Sequence, residues 1–360
     1  MKTTAAIRAI ATAFPTAVRT NDHWRARVPG VIDALERKAA AQVWEAEAGH
    51  GDAWTESMAP YLSDVFRGSV ERRVMTGGER ALDLEVRAAT RCLAAAKMSP
   101  GDVDLALITS FFPDQVFVGN GVYFADAMGM SCPCWNVESA CGSALADLLM
   151  AASMVESGRA RNVLVVLSCG YSRAFPDESP MSWTSADGAA AMLVSAGRGG
   201  EGILGSKVVA TTETIPAFTW AVREHPVVQQ TITFAATKAA GALLERSARE
   251  QLPRCADAAL AASGMNRRDI DFAVFPTPSA WFAEFGRRSL GLRPEQTIDT
   301  YPRFTNTGPV LSPQNLYFAA REGRLRPGDR VLFAAQGSVS SCGALVMRWG
   351  DVAVAPDCDA

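Results

Sequence analysis

The strongest constraint on the fold of this chain is that it repeats itself. The segment MSPGDVDLALI at Met98–Ile108 returns as MNRRDIDFAVF at Met265–Phe275, with Met98, Asp102, Asp104 and Ala106 matching Met265, Asp269, Asp271 and Ala273 at one constant offset. Further along, GRARNVLVVLSCG ending at Gly170 corresponds to GRLRPGDRVLFAAQG ending at Gly337, with two extra residues in the loop. Each copy then runs into a glycine-led strand, GAAAMLV from Gly188 and GALVMRW from Gly343. Identical order and near-identical spacing across three elements predict a duplicated strand–helix–strand–strand unit and hence an α/β protein with a pseudo-twofold. We expect an N-terminal half over residues 1–200, with a helical insertion at about 31–62, and a C-terminal half over 201–360.

The stretch NVESACGSALADLLMAASM, Asn136 to Met154, places Cys141 behind a strand-like run and before a helix rich in small residues, with Leu145, Leu148 and Leu149 at helical spacing. The partial positive charge of a helix start favours thiolate over thiol, so this position predicts a lowered pKa and a nucleophile. Position alone leaves the other reading open, that of a packed free cysteine. The duplication sets Thr305-Asn306-Thr307 opposite, before a helix starting at Ser312-Pro313, with Ser312 expected as cap. Across the pseudo-twofold the Asn306 amide can then donate toward the Cys141 pocket, as an oxyanion requires.

Arg67, Arg72 and Arg73 fall together in the turn FRGSVERRVM, either to grip phosphate or to form a surface ion pair with Glu71. The net charge of −3, with no long run of one sign, argues against nucleic acid and anionic membranes. No apolar stretch approaches the roughly 20 residues of a membrane span, and the opening run, broken by Arg8 and closed by Pro15, reads as a strand rather than a signal peptide. The eight cysteines are scattered, and Cys132 and Cys134 lack a second ligand cluster, so neither a disulfide framework nor a metal site is expected. A reducing cytoplasm is the expected location.

Together, Cys141, Asn306-Thr307, Asp187-Gly188-Ala189, Val18-Arg19-Thr20-Asn21, the arginine turn and the closing PGDRVLFAAQG and GALVMRW resemble the thiolase-like condensing enzymes. Within them, the chain is most similar to ketoacyl-ACP synthase III and its natural-product relatives. The resemblance implies a five-layered αβαβα thiolase fold, a homodimer, and an acyl group from acyl-CoA or acyl carrier protein held on Cys141 as a thioester. It implies no tightly bound cofactor, coenzyme A or phosphopantetheine thioester being substrate. It also puts Arg67, Arg72 or Arg73 near the coenzyme A entrance, and pairs the Cys141 N–H with one from the Gly337–Cys342 turn as the oxyanion hole.

One departure matters for the reaction. Where condensing members of the family carry a histidine, this chain reads Pro276-Thr277-Pro278, with Thr277 in its place. Of the chain's three histidines, His23 lies near the N-terminus, His50 in the insertion, and His225 in a loop expected before a helix near Thr231. His225 is the best substitute base. The insertion is expected to form a lid or reshape the entrance. The helix Trp281–Leu290, which docks carrier protein in relatives, opens on Trp281 and Phe282 instead of a basic residue, with Arg287 and Arg288 further along. The expected function is acyl transfer from Cys141 to a small-molecule carbon, oxygen or nitrogen acceptor in polyketide, fatty-acid-like or antibiotic biosynthesis. The alternatives are a decarboxylating ketosynthase with a substituted histidine position and a non-catalytic subunit of a heterodimer.

Overall fold

The repeat is visible in the hydrogen-bond ladders. In the computed structural model, which describes residues 4–46 and 51–356, Leu105–Phe111 pairs parallel with Asn162–Gly170, setting Ala106 beside Leu164. Its counterpart Phe272–Val274 pairs parallel with Arg330–Gln336, setting Ala273 beside Leu332. Each middle strand then pairs antiparallel with a glycine-led one, Asp187–Ala196 in the first half and Ser341–Arg348 in the second. These pair in turn with Ala5–Ala13 and Gly202–Ala210. The first sheet gains two edge strands, Cys134–Asn136 and the C-terminal Ala353–Val354, which returns from beyond the second sheet.

Both faces of each sheet are covered, which explains why the middle strands read as unbroken apolar runs rather than alternating ones. Along Asn162–Gly170, Val163, Val165, Leu167 and Cys169 point into the central layer, while Leu164 and Val166 join the outer cluster under the helix Ala81–Ala95. Along Arg330–Gln336, Val331, Phe333 and Ala335 point inward, while Leu332 and Ala334 face the outer helices Ala240–Ala262 and Phe282–Leu290. Two helices fill the centre, Ser143–Glu156 and Leu311–Arg321. Their small residues, Ala144, Ala151 and Ala319 among them, let the sheets close on both sides. The layers run helix, sheet, helix, sheet, helix: the thiolase fold.

Several local expectations are corrected. The inserted helix runs Pro29–Ala46, and His50 lies outside the described residues. The arginine turn contains a strand, Glu71–Arg73, paired with Val18–Thr20. Ser312 does not cap its helix; the Ser312 hydroxyl donates to the Ala334 carbonyl at 2.6 Å, and the helix starts at Leu311 after a 3-10 turn over Gly308–Val310. No helix begins near Thr231. Phe218–His225 and Gln229–Ala236 form instead an antiparallel hairpin belonging to neither main sheet. Thr231, Ile232, Thr233 and Phe234 are the β-branched and aromatic run that suits such a strand.

Candidate active site

Cys141 sits where the first-half edge strand turns into the central helix. Ala140 adopts φ +47°, a left-handed conformation rare for alanine, and Ala140–Gly142 form a 3-10 turn before Ser143. The turn is braced from the other half, Ser340 Oγ and Ser139 Oγ lying 2.8 Å apart, and within the turn itself the Gly142 N–H donates to the Ser139 carbonyl at 2.9 Å. A Cβ on Gly142 would stand 2.7 Å from Ser341 Oγ and 3.0 Å from its carbonyl oxygen, so only glycine allows the halves to meet this closely.

The Cys141 thiol faces the Tyr171 hydroxyl at 3.9 Å. Burial pushes the thiol pKa up to about 11, opposed by the Tyr171 hydrogen bond and reinforced by the nearby Glu138 carboxylate. The expected depression is therefore overturned: desolvation among apolar neighbours outweighs the partial charge of the helix start. The Tyr171 pKa is likewise raised by burial, so the phenol remains a donor.

Asn306 reaches the same cavity from the second half. Its backbone is fixed by Asn306 N–H to Thr184 C=O at 3.1 Å and Ala186 N–H to Asn306 C=O at 2.9 Å. Its Oδ1 accepts from Gly308 N–H at 2.8 Å, which orients the amide and turns Nδ2 away from that bond. Cys141, Asn306 and Tyr171 line one cavity of about 360 Å³. Its walls are aromatic. Trp54 and Trp281 meet edge to face at 6.0 Å on one side, and Phe218, Trp220 and Phe234 come from the hairpin on the other. Ser338 lines it too; since Gly170 and Gly337 are equivalent by repeat, Tyr171 and Ser338 are counterparts.

The structure does not bring the other expected residues to this cavity. Thr277 is fully buried and accepts from Asn315 Nδ2 at 3.2 Å, at the end of a hydrogen-bonded chain through Thr300 and Gln314 to Thr307. Only the next residues, Pro278 and Ser279, line the cavity. His225 is at the hairpin tip, where its Nδ1 accepts from Val227 N–H at 3.2 Å in a separate groove with Glu224 and Gln229. Burial and then Arg173 and Arg223 lower its pKa. His23 pairs with Asp177 at 3.4 Å. No histidine lines the cavity among the described residues.

The three arginines part company. Arg72 is fully buried, donating to the carbonyls of Trp183 and Val70 and to Asn21 Oδ1, with its guanidinium 4.5 Å from the Trp24 ring; burial lowers its pKa to about 10. These contacts leave Arg72 inside the fold and not at an entrance. Arg73 lies over the Phe304 ring at 5.9 Å. Arg67 donates to Tyr61 and Leu62 carbonyls, and the neighbouring Gly68 packs against Ala280, beside the cavity wall at Trp281. On the helix Phe282–Leu290, Arg287 and Arg288 are both held by Glu284, and Arg288 also by Glu56 of the insertion. Trp54 was missed from the sequence, because nothing local shows that the insertion folds back onto Trp281, Phe282 and Phe285. The insertion forms part of the wall.

Among the described residues, no group of three or more His, Cys, Asp or Glu is placed to hold a metal ion, and no helix is long and apolar enough to cross a membrane.

Comparison with known proteins bears on this arrangement. Residues 135–212 match the family described as 3-oxoacyl-[acyl-carrier-protein (ACP)] synthase III, and residues 260–349 match its C-terminal domain. The chain is 28% identical to a beta-ketoacyl-[acyl-carrier-protein] synthase III of Rhizorhabdus wittichii, covering 90% of this chain and 99% of that one. Against a synthase III of Streptomyces coelicolor it is 27% identical, over 78% and 87% of the two chains. Among solved structures, the synthase III of Thermus thermophilus superposes with TM-score 0.78 at 22% identity, over 96% of this chain and 100% of that one. An OleA variant of Xanthomonas campestris with bound lauric acid and lauroyl-CoA gives TM-score 0.75 at 20% identity, over 97% and 100%.

Proposed function

Because the chain belongs to the ketoacyl-ACP synthase III-like condensing enzymes of the thiolase fold, we propose that it is an acyltransferase that loads an acyl group on Cys141 and passes it to a small-molecule acceptor. The carrying observation is that Cys141 and Asn306 line one aromatic-walled cavity that no described histidine lines. Loading is a thioester exchange. The Cys141 sulfur bonds to the acyl carbon of an acyl-CoA or acyl-carrier-protein thioester, the old C–S bond breaks, and the thiol proton leaves on the departing thiol. With a thiol pKa of about 11, the thiol rather than a standing thiolate is the resting form of Cys141 near neutral pH. Asn306 Nδ2 donates to the developing oxyanion, a contact whose loss costs typically 10²–10³ in rate. The apolar cavity holds the acyl chain.

Coenzyme A or phosphopantetheine is substrate here, with Arg67 beside the entrance. The two repeat halves, meeting near residue 200, act as one site, in a homodimer. The setting is polyketide, fatty-acid-like or antibiotic biosynthesis. Neither Thr277, which is buried away from the cavity, nor His225, at the hairpin tip, is assigned a proton-transfer step.

Intact-mass analysis after incubation with a panel of acyl-CoAs and acyl-carrier proteins tests this reading. An adduct lost in Cys141→Ala is expected, and its absence with every donor leaves a non-catalytic subunit. Labelled malonyl thioester added to the loaded enzyme then separates transfer from condensation. Release of labelled carbon dioxide coupled to adduct loss would establish a decarboxylating ketosynthase instead.

A further inference from the structure

A second cavity, of about 420 Å³, lies on the other side of the nucleophile turn. It shares Phe111, Ala140 and Trp220 with the Cys141 cavity, so the two spaces are separated only by the residue before the nucleophile and by rings. Phe111 is fixed in the core and Ala140 has no side chain beyond Cβ. Trp220 stands on the hairpin with 48% of its surface exposed. Phe112, Pro113, Ile232 and Val339 give the rest of the wall its apolar part, Ser139 and Ser340 its hydroxyls, and Glu138 its one charged group.

Glu138 is three residues before Cys141. Glu138 is exposed, and one of its oxygens accepts from the Ala140 N–H. No cation is among the residues lining this cavity. A carboxylate facing aromatic rings, with no protein cation beside it, is complementary to an ammonium group on an apolar body. Desolvation of the carboxylate raises the Glu138 pKa above the ordinary carboxylate value, opposed by the backbone N–H groups of Ala140 and Ser139.

We propose that this second cavity is the acceptor site, that it takes a primary amine carrying an apolar body, and that Glu138 receives the amine's proton. The proposal rests on the acyl-Cys141 reading above. The ammonium gives one proton to the Glu138 carboxylate, and the neutral amine attacks the thioester carbon. A C–N bond forms, the C–S bond to Cys141 breaks, and the second nitrogen proton ends on the Cys141 sulfur. The products are an amide, free Cys141 thiol and a protonated Glu138, which releases its proton to solvent. Atoms and charge balance without an oxidant or a further reactant.

The test uses the full chain loaded on Cys141 with whichever acyl group the mass panel identifies. Phenethylamine is the probe, with 2-phenylethanol and 3-phenylpropanoate as neutral and anionic counterparts. Discharge is followed by intact mass and expressed per loaded enzyme, so differences in loading drop out; the denatured acyl-enzyme supplies the uncatalysed background. Saturable discharge by phenethylamine is expected, at least tenfold faster than by 2-phenylethanol, with the amide as product. Glu138→Gln keeps an acceptor for the Ala140 N–H and removes the base, and should abolish that advantage. Ile232→Trp fills the cavity without touching Glu138 and should weaken saturation by the amine. Equal discharge by amine and alcohol, or an amine rate in Glu138→Gln equal to that of the unaltered protein, would overturn the proposal while leaving acyl loading intact. If no adduct forms on Cys141 at all, the acyltransferase reading itself fails.

Discussion

Tyr171→Phe isolates the side-chain hydrogen bond that works against burial at the nucleophile. The phenol oxygen lies 3.9 Å from Cys141 Sγ, and the ring packs near Phe111, Phe112 and Phe175, so removing only the hydroxyl leaves the packing in place. With a thiol pKa of about 11, thiolate at pH 8 is about one molecule in a thousand. A hydrogen bond to a charged group contributes about 1.5 kcal/mol at the weak end of its range, which a sulfur contact of this length warrants. At 1.36 kcal/mol per pKa unit that is about one unit. Alkylation of Cys141 by iodoacetamide, read by peptide mapping to separate it from the other cysteines, should be about tenfold slower at pH 8 in the variant. In both proteins the logarithm of the rate should climb linearly from pH 7 to 10, because the thiol titrates above that window. A variant rate within twofold of the unaltered protein would refute the role of Tyr171. A plateau below pH 9 would refute the dominance of burial.

Other perturbations probe the frame around the site. Gly142→Ala places a Cβ against the Ser341 backbone and should cost about 1–3 kcal/mol in urea unfolding while slowing adduct formation; an unchanged midpoint refutes the tight meeting of the halves. Arg72→Lys keeps the charge but cannot reach the Trp183 and Val70 carbonyls and Asn21 together, and should lose about 3 kcal/mol by chemical denaturation, against about 1 for Arg67→Lys at its half-buried position. Glu85, fully buried among Ser110, Ser168 and Asn120, has its pKa raised by burial to about 7. Between its unfolded value and 7 the folded protein binds more protons than the unfolded chain, so stability falls as pH rises through that window. Thermal midpoints from pH 4.5 to 8 should fall more steeply for the unaltered protein than for Glu85→Gln, and parallel curves would count against it.

Much of the architecture was legible in the chain because repetition is a property of order along the sequence. The paired segments at Met98 and Met265 became parallel ladders in equivalent register, and the loops holding Cys141 and Asn306 became neighbours across the pseudo-twofold. Turn chemistry was read less well. Ser312 looks like a cap in isolation, yet the Ala334 carbonyl claims its hydroxyl. The hairpin at Phe218–Ala236 has no partner in the repeat, and the loop at Pro226 that joins its strands does not by itself say whether a strand or a helix follows.

What the sequence by itself determined is the duplicated α/β fold and the facing of Cys141 and Asn306, since both follow from spacing that recurs within one chain. Only the tertiary structure decided the company these residues keep. Trp54 arrives from the insertion, Trp220 from the hairpin and Tyr171 from the end of a strand. Folding also raised the thiol pKa that the helix start alone would lower, because desolvation depends on every atom packed around the sulfur and not on its neighbours in the chain. For the same reason Thr277 and His225, sensible by position, ended outside the cavity: sequence distance says which residues can meet, and packing decides which do.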